Sequence, residues 1–357
     1  MAETQFVAEK PVSITGGRPR VATLLALLSV LLILAFLSSL SIGATGLLPL
    51  DAWWSLFSDH GVADTDGILI LLDIRLPRTL LAMFVGAALA VAGAMMQGLF
   101  RNPLADPGLI GVSSGAALAA VTVIAFGHGL AAPLIALLGR HALPLAAFTG
   151  GLAVTSFLVA FSGGTRPLST AGLLLAGLAI AALAQAFMGI AAYASDDRAL
   201  RDLTLWTLGS FAGASWQKVF AVIPFAVVAL ILLPRLVRGL NGLLLGEAEA
   251  FHLGIDVRRV KYMVVFATAA LVGAAVAVAG IIGFVGIVVP HVVRLIAGPD
   301  HKVVLPASAL LGGTLAISAD IVARAVVAPA ELPVGIVMAL IGAPFFLHLI
   351  LKRAGHV

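Results

Sequence analysis

Residues 245–261, LGEAEAFHLGIDVRRVK, bring together two glutamates, an aspartate, two arginines, a lysine and a histidine. The surrounding chain is 61% hydrophobic and only 11% charged. Charge at that density suits ion pairing with a partner surface. A hydrolase would need a positioned acid–base pair or a set of metal ligands. The eight histidines do not supply one. His60, His128, His141, His301 and His356 fall in loops or at an end, His291 and His348 near helix ends, and His252 in the charged run. No H-E-x-x-H occurs, and there is no cysteine for a disulfide or thiolate site. The reading is therefore no catalytic residue and no metal site in this chain. Nor can the chain hydrolyse ATP, because a P-loop needs a Gly-Lys pair to cradle phosphates. The lysines follow Glu9, Gln217, Val260, His301 and Leu351, never glycine. If the protein does work, its energy comes from a partner.

The elements that position the charged run are apolar. A soluble domain carries roughly a quarter charged residues, so this composition, with a mean hydropathy of +1.13, predicts an all-α polytopic membrane protein. The pI near 9.8 is then a topology signal and does not point to nucleic acid. Residues 1–20 are polar and predict a cytoplasmic tail, and 21–357 a single transmembrane domain. The apolar stretch 21–42 is too long for a signal peptide and has no clear cleavage site, so it reads as a retained helix. Ten spans are expected, at 21–42, 79–100, 108–126, 142–162, 171–194, 217–234, 262–281, 284–297, 303–323 and 333–351. The piece at 131–138 is too short to span alone. Cytoplasmic termini leave Arg75, Arg78, Arg140, Arg198, Arg201, Lys218 and Arg324 outside and the other fourteen of 21 basic residues inside, which fits the positive-inside bias.

VGAALAVAG (85–93) returns as VGAAVAVAG (272–280), eight identities in nine. Chance among Ala/Gly/Val-rich helices is one explanation. The other is an inverted-topology repeat of helices 2–5 and 7–10, a mark of transporters. Residues 79–99, 109–126, 142–162, 171–194, 219–233, 262–290 and 334–347 hold no Asp, Glu, Lys or Arg. Ion-coupled carriers bury such groups near the midplane, so two transport states would differ by packing alone. The charged run then falls in the largest cytoplasmic loop, about 236–261. One or two short helices, broken at Gly254, would lie along the membrane there. They either pack on lipid or dock a cytoplasmic motor, with Phe251 and Leu253 as anchors and Glu247 and Glu249 on the rim.

RLPRTLLAMFVGAALAVAGAMMQGLFRNPLADPGLIGVSSGAA (75–117) resembles the signature region of the FecCD family of permeases. GFVGIVVPHVVRLIAGPDHKVVLPASAL (283–310) and ADIVARAVVAPAELPVGIVMALIGAPFFLHLIL (319–351) resemble that family's second half. The resemblance spans nearly everything after residue 21. It implies the membrane subunit of an ABC importer for iron-siderophores, haem or vitamin B12 in the bacterial inner membrane. That subunit works as a homodimer with two ATPase subunits, which hold ATP and Mg2+, and with a periplasmic substrate-binding protein.

The resemblance also implies roles. Arg75, Arg78 and Arg324 would dock the binding protein, the alternative being ordinary interfacial snorkelling. Asn102 and Leu104 would narrow the inner exit together with Ser169, Thr170 and Ala171. Gln185, Met188 and Tyr193 would border the pathway. Glu247, Glu249, Phe251, Leu253 and Gly254 would couple to the ATPase. DDRALRDLTLWTLGSFAGASW (196–216) resembles the haem branch more than the B12 branch. An ion-coupled secondary transporter is the reading from a different class.

Overall fold

The computed structural model describes residues 18–43, 46–47, 65–127, 129, 131–162 and 170–354. Helices dominate, as lipid demands: without water, a segment must satisfy its own main-chain N–H and C=O groups. In chain order the helices are α1 (Arg18–Ser41), α2 (Leu76–Phe100), α3 (Val112–Ala125), α4 (Ala132–Leu138), α5 (Ala142–Ser162), α6 (Thr170–Tyr193) and α7 (Asp197–Thr207). They continue as α8 (Trp216–Leu245), α9 (Glu247–His252), α10 (Val257–Ala279), α11 (Val285–Ala297), α12 (His301–Ala325) and α13 (Val334–Ala354). A short helix, Thr65–Leu69, and a π-helical turn, Ile70–Arg75, run directly into α2. A two-residue hairpin pairs Ile42 with Leu47 after α1.

Each expected apolar stretch is helical. Among the described residues, seven helices are long and apolar enough to cross a membrane, and Val112–Ala125, Val285–Ala297 and Val334–Leu347 are shorter apolar helices. The piece at 131–138 is α4, which continues through a 3-10 turn at Gly139–His141 into α5, so Ala132–Leu158 forms one candidate span. α1 begins at Arg18, and residues 1–17 of the expected tail lie outside the described residues.

The packing has two matched halves. α2 packs on α12 as α10 packs on α5, and α3 meets α5 as α11 meets α12. α3 touches α10 as α11 touches α2, and α3 touches α6 as α11 touches α13. α2 and α10, which carry the two nonapeptides, pack on each other. They run in opposite senses. Trp216 Nε1–H donates to Leu72 O in the π-helical turn that runs into α2, while Ser210 N–H, six residues before Trp216, donates to Ala279 O at the end of α10. The short helices α3 and α11 are counterparts, and irregular chain leads into each (101–111 and 280–284).

Close approach of α2 and α12 depends on glycine. A Cβ on Gly312 would lie 2.5 Å from the Ala90 Cβ and from the Gly86 carbonyl oxygen. Small residues of this kind let apolar helices pack where no hydrophobic effect drives them together. Gly312→Leu is expected to destabilise the fold by about 1–3 kcal/mol through overpacking. A lowered thermal aggregation temperature in detergent is the readout, and an unchanged temperature would show that these helices can part at no cost.

Candidate functional site

The polar groups collect at the two ends of the bundle. At one end lie the start of α2 and the last turns of α1 and α12, with Arg75, Arg78 and Arg324. All three side chains are buried, and none stands as an exposed rim charge. Arg78 grips Asp320 with Nε (3.1 Å to both carboxylate oxygens) and Nη2 (2.8 Å), and reaches Glu331 with Nη1 (2.8 Å). Arg324 Nε pairs with the same Asp320 at 3.0 Å, and its Nη atoms donate to Ile42 O and Ser39 Oγ, both at 2.9 Å. Arg75 Nη1 donates to Leu40 O and Ser41 O. The three arginines thus tie the end of α1 to α2 and α12. The expectation that no buried charge is available is corrected here: Asp320 is 1% exposed between two arginines. Helix spacing is the reason, since Asp320 and Arg324 lie one turn apart and share a face.

The opposite end holds the charged run. α8 stops at Gly246, whose φ of 128° suits only glycine. α9 follows, and the chain turns at Gly254, φ 76°, before Asp256 caps α10 by accepting Arg259 N–H at 3.0 Å. One short helix forms where one or two were expected. Its Ala250 is buried against Gly242, while Phe251 and Leu253 stand 72% and 64% exposed. Glu249 is exposed, and Glu247 pairs with Lys261 at 2.8 Å across the turn. This segment therefore offers an apolar tip on a charged base.

The 101–108 turn lies at the same end. Arg101 closes α2 in a left-handed conformation (φ 49°), and Asn102 Oδ1 accepts Leu104 N–H at 3.0 Å. Burial pushes the Asp106 carboxyl above the ordinary carboxylate range, against the pull of Gly108 N–H, which it accepts at 2.7 Å. Of the other expected gate, Ser169 lies outside the described residues, and Thr170 and Ala171 open α6. On α6, Gln185, Phe187, Ile190 and the 94%-exposed Tyr193 are all exposed. Met188 is partly buried and packs beside Val121, Ala191 and Leu203.

Sequence reasoning missed a second polar cluster. His301, expected in a loop, is fully buried as the first residue of α12. Arg294 Nη2 lies 3.1 Å from its Nε2, and Asn241 Oδ1 lies 2.9 Å from its Nδ1. Arg294 Nη1 donates to Gln97 Oε1 at 2.6 Å. The available signals were Asp300 as an N-cap and Gln97 as a polar residue in an apolar helix. Among the described residues no group of three or more His, Cys, Asp or Glu side chains could hold a metal ion.

Comparison with known proteins places this architecture. The chain is 44% identical over 338 residues to the hemin transport system permease protein HmuU of Yersinia pestis, covering 95% of this chain and 98% of that protein. It is 43% identical over 325 residues to the vitamin B12 import system permease protein BtuC of Escherichia coli, covering 91% and 94%. An inward-facing metal-chelate type ABC transporter superposes with a TM-score of 0.80 at 34% identity, covering 93% of this chain and 99% of that one. The PsaBC structure from Streptococcus pneumoniae shares the fold with a TM-score of 0.51 at 15% identity. Residues 31–352 match the FecCD transport family, so the chain belongs to that family.

Proposed function

We propose that the chain is the membrane subunit of an ATP-driven importer that passes haem from a periplasmic binding protein to the cytoplasm by alternating access. The observation that carries this reading is 44% identity to a hemin permease across 95% of the chain. The B12 relative is similar at 43%, so vitamin B12 and ferric siderophore are the competing cargoes of the same machinery. In this reading the chain crosses the bacterial inner membrane ten times, with both termini cytoplasmic, and works as a homodimer.

The end that carries α9 faces the cytoplasm. In each copy the exposed Phe251 and Leu253 seat in a cleft of one of two ATPase subunits, which bring ATP and Mg2+. Movement of α9 there rocks the helices and alternately narrows and opens the 101–108 turn. The binding protein docks at the arginine end. Arg75, Arg78 and Arg324 hold internal partners there, so their first task is to join α1, α2 and α12. They contact the binding protein only as it draws them from those partners. The exposed Gln185 and Tyr193 of α6 border the pathway at the dimer axis.

Growth of a deletion strain on haem as sole iron source tests the cargo, with ferric siderophore and vitamin B12 dependence in parallel. Loss of growth on haem alone, restored by the gene, is expected. Normal growth on haem with loss on a siderophore or B12 would keep the importer and overturn haem.

A further inference from the structure

Asn241 lies one turn of α8 before the coupling segment. The next residue, Gly242, packs against Ile255 and Ala250, so α9 and the turn after it cover this part of α8. Asn241 Oδ1 accepts His301 N–H at 2.9 Å, and its amide donates to Asp300 Oδ1 at 2.7 Å. An arginine only donates. His301 therefore accepts from Arg294 at Nε2 and carries its hydrogen on Nδ1, facing Asn241 Oδ1. Arg294 also donates to Gln97 Oε1 at 2.6 Å and to Ala94 O at 3.0 Å. Gln97 Nε2 donates to Ile287 O at 3.1 Å. The main chain completes the path: Gln97 O accepts Asn102 N–H at 3.2 Å, and Asn102 in turn holds Leu104 N–H.

These groups come from α8, α12, α11 and α2, and they are sealed from lipid and water at Gln97 and His301. The His301 ring fills the space that a side chain on Gly98 would need. A satisfied buried network of this kind strongly favours one arrangement, because a half-broken one leaves polar groups unpaired in a low dielectric. It therefore transmits displacement as a unit and does not absorb it.

We propose that Asn241, His301, Arg294 and Gln97 form a positioning relay that carries movement of α9 to the 101–108 turn. The inference rests on the ATP-driven reading above. None of the four touches cargo or nucleotide in this scheme. They set the turn that bears Asn102 and Leu104 according to where the motor holds α9. Gln97 and Asn241 do not touch each other. The hydrogen bonds that join them run through Arg294 and His301, beside the direct packing of Leu240 near Gly98.

A double-mutant cycle tests this. Wild type, Asn241→Ala, Gln97→Leu and the double variant are reconstituted in proteoliposomes with the ATPase that co-purifies with the wild-type chain. ATP hydrolysis is measured beside accumulation of haemin and of cyanocobalamin. Each single variant is expected to lower cargo accumulated per ATP about threefold to thirtyfold, a range typical of coupling positions. The double variant falls no further than the worse single, as members of one network do. ATPase co-purification is retained throughout.

Effects that add in full, or a cargo-to-ATP ratio unchanged while only thermal stability falls, would overturn the relay and leave a structural cluster. Should Gln97→Leu not fold, Gln97→Met, closer in shape to glutamine, is judged by the same criterion. Gln97→Glu keeps an acceptor for Arg294 and is expected to restore most of the ratio; no restoration counts against the relay. If the wild-type chain, given ATP and its binding protein, accumulates neither probe nor a ferric siderophore, the importer reading itself fails, and the relay with it.

Discussion

Asp320→Ala is expected to leave little folded protein in the membrane. One carboxylate serves two guanidiniums, at 2.8 Å from Arg78 Nη2 and 3.0 Å from Arg324 Nε, and all three side chains are buried. Removing one member of a buried ion pair costs about 3–5 kcal/mol, because the partner charge stays desolvated and unpaired. That is a large share of the roughly 5–15 kcal/mol that holds a domain folded. Here two cations lose their common acceptor. Arg78 keeps Glu331, and Arg324 keeps Ile42 O and Ser39 Oγ, but neither neutral oxygen cancels a buried charge. Asp320→Asn retains an acceptor without the charge and should fall between. The yield of monodisperse protein on size-exclusion chromatography, with its aggregation temperature, reads the effect. A wild-type yield for Asp320→Ala would mean that the guanidiniums find water, and that the network holds little together. By the same reasoning, Arg78→Glu combined with Arg324→Glu sets new carboxylates against Asp320 and Glu331. That variant should fail to fold before any docking with a binding protein can be measured.

Hydropathy made the helices legible, because a lipid-facing segment must be both apolar and long. The repeated nonapeptide pointed to the antiparallel relation of α2 and α10, which the hydrogen bonds of Trp216 and Ser210 show directly. The charged run was legible because little else competes for attention in so apolar a chain. Burial was not. Arg75, Arg78 and Arg324 stand at helix ends, where an arginine usually reaches water, and only the three-dimensional arrangement turns them onto Asp320 and the α1 carbonyls. Asp320 itself was readable: a lone acid one turn before an arginine in an apolar helix needs a partner. His301 was harder, since GPDH reads as a turn. Its ring is buried because Gly98, more than two hundred residues earlier, leaves room for it, and no local pattern encodes that.

Phe251→Ser with Leu253→Ser is expected to abolish ATPase association while leaving the permease folded. Both side chains are mostly exposed, 72% and 64%, and exposed substitutions away from caps and cores usually change stability by no more than about 0.5 kcal/mol. α9 holds its place by other means, through buried Ala250 against Gly242 and through Glu247 paired with Lys261. That pair is half exposed and contributes at most about 1 kcal/mol, so the apolar contact does most of the anchoring. In a protein interface the energy concentrates in a few buried apolar anchors, each contributing roughly 2 kcal/mol or more. At 1.4 kcal/mol per tenfold, two such anchors amount to about a thousandfold in affinity. Co-purification with the ATPase and growth on haem should therefore fail together, with the size-exclusion profile of the permease unchanged. Retained ATPase binding would return α9 to the other reading of its sequence, a helix whose apolar tip rests in the lipid headgroups, and would move the motor contact elsewhere on the same end. Loss of binding with an intact fold would tie that contact to the charged run at 245–261.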